Sequence, residues 1–368
     1  MNPVYIAGTG VWTPSEVITN EELVESFNAY AELFNQRHAA EITAGTIEAL
    51  SGSSAEFIEK ASGIKQRFVM EKAGILDPER MFPIFPERSD DELSLMAEIA
   101  VDACRKALAA AGRTGADVDA IFCAASNMQR AYPAMAVEIQ QALGAGGYGF
   151  DMNVACSSAT FAIEQAANAL RSGQAKRALV LGPEITSAHL EWRDRDCHFI
   201  FGDVSTAVLL ESEKSGWEIL GSKAATVFSS NIRNNAGFLN RGEPQGQAGR
   251  DKLFRQEGRK VFKEVCPMAA DHIAGHLAGL GFSPQQVRRY WLHQANLGMN
   301  QLIAKKLLER EATLDDAPVI LDRYANTASA GSIIAFHEYK DDLAAGDVGV
   351  ICSFGAGYSI GSHVVRKV

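Results

Sequence analysis

Short apolar runs alternate with longer stretches of helical periodicity along nearly the whole chain, and this alternation constrains the fold more than any other feature. The strand-like runs are Val4–Ala7, Ala120–Ala125, Ala178–Leu181, Ala207–Leu210, Tyr290–Leu292, Val348–Cys352 and His363–Val365. Helix-like stretches lie at Leu93–Ala111, Ser158–Arg171, Arg259–Leu280, Leu297–Arg310 and Ser332–Ala345, and Gly112, Gly173, Gly281 and Gly346 stand where four of them stop. Such alternation predicts an α/β fold with substantially parallel sheets. The polar stretch Glu211–Trp217 divides the chain into residues 1–215 and 216–368. No repeat is visible by direct identity, so any duplication of the halves rests on pattern.

Three stretches read as surface excursions: Phe27–Ser54, Gly74–Asp90 and the Gly/Asn/Gln/Arg-rich Asn231–Lys252. Segments this long are usually lids or disorder. The apolar MFPIFP within the second favours a packed cover.

With 368 residues, 47% of them hydrophobic, the chain can build a large core, which excludes a disordered or fibrous reading. A net charge of −10 argues against a general binder of nucleic acid or anionic membrane. The first residues lack a basic segment followed by a long apolar one, and no apolar run is long enough to span a bilayer. A cytoplasmic protein is therefore expected. The six cysteines include no CxxC pair, and several sit in apolar runs, as buried thiols in a reducing compartment do.

Four segments carry candidate chemistry. In GFDMNVACSSATFAIEQAANALRSG a strand-like run ends at Cys156 and a small-residue helix follows at once. A thiol at a helix N-terminus faces free N–H groups and the positive end of the dipole, which favour thiolate; a structural cysteine at a strand–helix junction is the bland alternative. VRRYWLHQANLGMN delivers His293 and Asn296 from a strand into a turn. RYANTASAGSIIAF puts Asn326 just before a helix, as a neutral hydrogen-bond donor or as an ordinary cap. ICSFGAGYSIGSHVV is a strand, a glycine-rich turn containing Phe354 and Ala356, and a second strand.

In chain order these segments give a Cys elbow, HQAN, NTxSxGS and FGxG. That ordered set resembles the β-ketoacyl-ACP synthase III branch of the thiolase-like superfamily. GTGVWTPSEVITNEEL, EFIEKASGIKQRF, AYPAMAVEIQQALG and DRDCHFIFGDVSTAVLL extend the likeness over most of the chain. The resemblance implies a five-layer αβαβα fold of two similar halves and a homodimer formed through the N-terminal halves. It implies an acyl-CoA primer and malonyl-ACP as substrates, with no cofactor and no metal.

By the same carry-over Cys156 is the nucleophile, His293 and Asn326 are neutral donors, and the backbone N–H groups of Cys156 and Ala356 hold the oxyanion. Ala356 stands where the family usually has glycine. Tyr132 matches an aromatic position that reaches across the dimer to limit the acyl tunnel. Phe57 and Arg195 match the adenine sandwich, Asn296 and Phe354 belong to the substrate-binding motifs, and Lys263, Lys305 and Lys306 match the carrier-protein docking patch. Gly298 replaces the family's arginine in the HQAN turn, a loss that Arg288 or Arg289 would have to offset. The long excursions favour a medium or longer primer over acetyl.

Other signals are decoys. GAGGYG fits GxGxxG at Gly144, Gly146 and Gly149 but precedes a strand, SGIK matches SxxK without a partner motif, and His272 and His276 lack the glutamate of HExxH. Rival readings are a head-to-head acyl condenser, a specialised-metabolite ketosynthase and a non-catalytic partner subunit.

Overall fold

The computed structural model describes residues 2–368. Nine strands form one sheet system: β1 (Tyr5–Trp12), β2 (Ala120–Ala124), β3 (Tyr148–Met152), β4 (Arg177–Glu184), β5 (Val204–Glu211), β6 (Trp217–Ser229), β7 (Arg289–Leu292), β8 (Val348–Gly355) and β9 (Gly357–Lys367). Their spatial order is β7-β8-β9-β6-β1-β5-β4-β2-β3. Pairing is parallel only towards the two ends, in β7–β8 and in β4–β2–β3. The centre is antiparallel, so the expectation of largely parallel sheets holds only in part. The reason is local: β8 returns as β9 through the tight FGAG turn, which only an antiparallel pair permits.

The main helices are α1 (Asn20–Arg37), α2 (Ala55–Ser62), α3 (Leu95–Ala110), α4 (Met135–Leu143), α5 (Ser158–Arg171), α6 (Gly258–Gly279), α7 (Leu297–Leu308) and α8 (Gly331–Glu338). Successive strand residues point to opposite faces, and the core divides accordingly. Ala120, Phe122 and Ala124 face α5, together with Ile351 and Val365 from the later strands. Ile121 and Cys123 face α3 and α4 instead. Val350, Cys352 and Val364 pack on α6 and α7. Reading outward, the layers are α3/α4, strands, α5/α8, strands and α6/α7, which is the αβαβα arrangement. Because α5 lies between strands of the two ends of this sheet system, its buried residues are mostly small: Ser158, Ala159, Thr160, Ala162, Ala166, Ala167 and Ala169.

The three excursions fare differently. Residues 27–37 are not loop but continue α1, which begins with a reciprocal cap: Glu22 N–H donates to Thr19 Oγ1 (3.2 Å) and Thr19 N–H to Glu22 Oε2 (3.0 Å). Within MFPIFP, Met81 is buried, but Phe82 and Ile84 are each 50% exposed, so the cover is packed only in part. The third excursion is tied into ordered turns by Asn240 and by the Asn235–Asp251 pair. Among the described residues no helix is long and apolar enough to cross a membrane.

Candidate active site

After β3 the chain turns sharply through Ala155, whose φ of +47° lies in the left-handed region, and arrives at Cys156. Small polar groups hold this elbow. Ala155 N–H donates to Asn153 Oδ1 (2.8 Å), Val154 N–H to Ser158 Oγ (2.8 Å), and Ser157 Oγ–H to Ser359 O (3.0 Å). Of the six cysteines Cys156 alone is incompletely buried; the others are core thiols.

Cys156, His293, Asn326, Phe354 and Gly355 line one cavity of about 630 Å³. His293 follows β7, held by its N–H to Cys352 O (2.8 Å) and by an edge-on contact with Phe354 (5.2 Å, 88°). Burial pulls its imidazole down to about 3, so it is neutral at ordinary pH, and its Nδ1 is buried without a partner. Asn326 is docked by its own N–H to Ile200 O (2.9 Å) and flanked by Ala325 (φ +56°) and Ala328 (φ +48°). Ala328 N–H donates to Asn326 Oδ1 (2.9 Å), which occupies the oxygen and leaves the amide N–H group for the cavity.

Burial, then the charge of Glu184, push the Cys156 thiol up to about 12, while the N–H groups of Cys156 and Ala356 pull the other way. Desolvation thus works against the helix N-terminus, whose free N–H groups favour thiolate. The two opposing N–H groups are the pair named from sequence as oxyanion donors.

Phe57 lines the same cavity, and the Arg195 guanidinium lies 4.2 Å above its ring, anchored by Nε–H to Gly52 O (2.7 Å). Asn296 also lines it, with both ends of its amide engaged: Oδ1 accepts from Gly298 N–H (2.9 Å) and Nδ2 donates to Ala61 O (2.7 Å). It therefore ties the start of α7 to α2. Tyr132 stands apart from the cavity, 83% exposed. Lys263, Lys305 and Lys306 are exposed on the adjoining helices α6 and α7, Lys305 paired with Glu311.

Some sequence expectations fail. Arg288 and Arg289 cannot stand in for the arginine missing at Gly298. Both lie by the far end of β7, Arg288 on Asp315 (2.6 Å) and buried Arg289 on Asp315 and Asp342. Arg255 and Arg259 line the cavity instead, and neither forms an ion pair among the described residues. Sequence reasoning also missed Glu184. Burial raises this carboxyl to about 7, and it accepts from Ser126 N–H (2.9 Å) and Oγ–H (2.6 Å) and from Ser329 N–H (3.1 Å). No local pattern marks it, since its partners come from distant segments. Gly144 ends α4 ahead of β3, with no helix to receive a phosphate. His272 and His276 both bond Ser362 Oγ, and among the described residues no group of three or more His, Cys, Asp or Glu is arranged to hold a metal.

Residues 150–227 match the family model described as 3-oxoacyl-[acyl-carrier-protein (ACP)] synthase III, and residues 277–367 match its C-terminal counterpart. The chain is 58% identical over 349 residues to the β-ketodecanoyl-[acyl-carrier-protein] synthase of Pseudomonas aeruginosa, covering 94% of this chain and all of that one. It is 33% identical to the β-ketoacyl-[acyl-carrier-protein] synthase III of Mesorhizobium japonicum, over 87% of this chain and 93% of the other. Among solved structures, the 3-oxoacyl-[acyl-carrier-protein] synthase III of Aquifex aeolicus superposes with a TM-score of 0.77 at 25% identity, over 99% of each chain. The priming β-ketosynthase of the R1128 polyketide pathway gives 0.79 at 20% identity, over 99% of this chain and 96% of that one, a likeness of fold.

Proposed function

This chain belongs to the 3-oxoacyl-[acyl-carrier-protein] synthase III family, and from that premise we propose that it condenses a medium-chain acyl-CoA, octanoyl-CoA above all, with malonyl-ACP through an acyl-Cys156 intermediate. It is an acyltransferase of fatty acid synthesis. The primer length follows from arithmetic: decarboxylative condensation adds two carbons, so the ten-carbon β-ketoacyl product that names the Pseudomonas relative needs an eight-carbon primer.

In the first half-reaction Cys156 Sγ attacks the thioester carbonyl and CoA leaves. The proton of the Cys156 thiol is given up as the C–S bond forms and ends on the departing CoA thiolate, while His293 stays neutral. The backbone N–H groups of Cys156 and Ala356 stabilise the tetrahedral oxyanion. In the second, malonyl-ACP loses CO₂, and the enolate oxygen accepts hydrogen bonds from His293 and Asn326. A neutral imidazole suits this step, because a nearby acid would protonate the carbanion before it reached the acyl-cysteine. Phe57 and Arg195, stacked on each other in this structure, part to take the adenine of CoA between them, Asn296 and Phe354 shape the channel beside it, and Lys263, Lys305 and Lys306 meet the acidic carrier protein.

The observation that carries this reading is the lining of one cavity by Cys156, His293 and an Asn326 whose oxygen is already taken, leaving a thiol and two neutral polar groups around the space a thioester needs. Chemistry of this kind uses no cofactor. We further propose a cytoplasmic homodimer, joined along β3. This edge strand carries Tyr148 (38% exposed) and Phe150 (42%) and has one side of its backbone unpaired, while Tyr132 is free to reach a partner. The test is intact-protein mass after exposure to octanoyl-CoA, then after malonyl-ACP. An octanoyl gain on Cys156 discharged as β-ketodecanoyl-ACP is expected, and an enzyme that neither loads nor releases product overturns the reading.

A further inference from the structure

Cys156 borders a second chamber, of about 410 Å³, as well as the first. Under the proposed reading the CoA arm of the thioester occupies the first, where Phe57, His293 and Asn326 lie, and the second is left for the acyl chain. A chamber built only for a saturated chain would be lined by apolar groups. This one has an aromatic wall, Phe201 and Phe254, but also Asn127, Asn153, His189 and Asn234.

Two of these polar groups lack partners. Asn127 Nδ2 lies 3.0 Å from His189 Nδ1, and the ring is flanked by Phe201 (5.3 Å) and Phe254 (6.4 Å), so its orientation is fixed while Nε2 has no protein partner. Burial pulls His189 down to about 4 and keeps it neutral. Asn234 Oδ1 accepts from Ala236 N–H (2.8 Å), but its Nδ2 is buried with no partner. A buried polar group without a partner, as Asn234 Nδ2 is, is costly and a ligand oxygen relieves that cost, while half-buried His189 leaves Nε2 open to the chamber. The polar wall is tied to the elbow that carries the sulfur: Asn153 Nδ2 donates to Ser126 O (2.8 Å), next to Asn127, and Asn153 Oδ1 accepts from Ala155 N–H, next to Cys156, which itself borders the chamber.

We propose that this chamber also admits primers bearing a hydroxyl on one of the first carbons of the chain, held by His189 Nε2 and Asn234 Nδ2, so that 3-hydroxyacyl-CoA thioesters are substrates beside octanoyl-CoA. The inference rests on the condensing reading above. Because the Asn127 amide nitrogen can only donate, His189 Nδ1 accepts and Nε2 carries the proton, so His189 and Asn234 offer two N–H donors to the lone pairs of one hydroxyl oxygen. Loading breaks the thioester C–S bond to CoA, forms the C–Sγ bond to Cys156 and leaves the thiol proton on the released CoA; the hydroxyl takes part in no bond change.

The test compares loading rates of octanoyl-CoA and each enantiomer of 3-hydroxyoctanoyl-CoA, followed by intact mass, in the native enzyme, His189→Phe and His189→Gln. In the native enzyme at least one enantiomer should load as fast as octanoyl-CoA. The hydroxyacyl-to-octanoyl ratio should fall about tenfold in His189→Phe, the worth of one buried hydrogen bond, and recover in His189→Gln, which restores an N–H donor. Circular dichroism checks the fold, and if His189→Phe does not fold, Asn234→Leu must lower the same ratio. Both enantiomers loading more slowly than octanoyl-CoA in the native enzyme, or a ratio unmoved by these substitutions, overturns the inference and leaves the condensing reading intact. Failure of octanoyl-CoA itself to load overturns both.

Discussion

Gly355 lies so close to Cys156 that a Cβ on it would stand 2.6 Å from Cys156 Cβ and 3.2 Å from Sγ. The glycine-rich turn therefore does more than reverse β8 into β9: it lets one backbone slide against Cys156 and brings the Ala356 N–H to the sulfur. Gly355→Ala must displace one of the two segments. Loading of Cys156 by octanoyl-CoA should slow about 10²-fold or more, the usual cost of misplacing an oxyanion donor, with the chain still folded. Normal loading rates in that variant would show that the contact yields without consequence.

The two proposed half-reactions assign different work to the three polar side chains. Cys156→Ala should gain no acyl mass at all. Asn326→Ala should still load, yet condense about 10²–10³-fold more slowly, because its amide is asked to act only on the enolate. His293→Gln should retain more condensation from pre-acylated enzyme than His293→Ala, since a neutral donor is the property being tested. Equal loss in both steps for Asn326→Ala would contradict the division.

Much of this site was legible in the sequence, for a physical reason. Cys156, His293 and Asn326 each sit at a junction where a strand or turn meets a helix with small neighbours, and junctions leave a local signature. The helix Ser158–Arg171 was read to its ends because its apolar spacing and Gly173 are both local. By contrast, the stretch expected as helix over Ser332–Ala345 stops at Glu338. There Tyr339 O accepts from Arg289 Nη1 (2.8 Å) and Trp291 Nε1 (3.1 Å), a tertiary capture that no local pattern announces. The Thr-Asn-Glu-Glu cap of α1 is as local as the Ser158–Arg171 spacing, and it opens the helix that runs on through residues 27–37. Glu184, His189, Arg255 and Arg259 acquire their places only when distant segments meet.

Glu184 makes a pH-dependent demand on stability. Burial raises its folded pKa from 4.5 to about 7, so folding favours the protonated carboxyl. Its contribution is fully present below about pH 4.5 and is lost as pH rises through 7, by on the order of 3 kcal/mol. Glu184→Gln removes the titration. Relative to the native protein, the variant should gain stability between pH 4.5 and 7, measured as urea midpoints across that range, whereas a constant difference at every pH would mean that Glu184 does not titrate there.

Arg255 and Arg259 bear on how the enzyme holds the charged end of its substrate. Gly298 supplies no cation, and Arg288 and Arg289 are committed elsewhere, so the phosphates of acyl-CoA need another source of positive charge at the cavity. Both arginines are exposed residues lining that cavity and are without ion-pair partners among the described residues, which leaves their guanidinium groups available for bidentate phosphate contact. Replacing both by Gln should raise KM for octanoyl-CoA about tenfold while kcat changes little, because the lost interaction binds substrate and transition state alike. The same charges should make native KM rise with ionic strength, more steeply than in the double variant. A double variant with native KM and native salt dependence would place the CoA phosphates elsewhere on the surface.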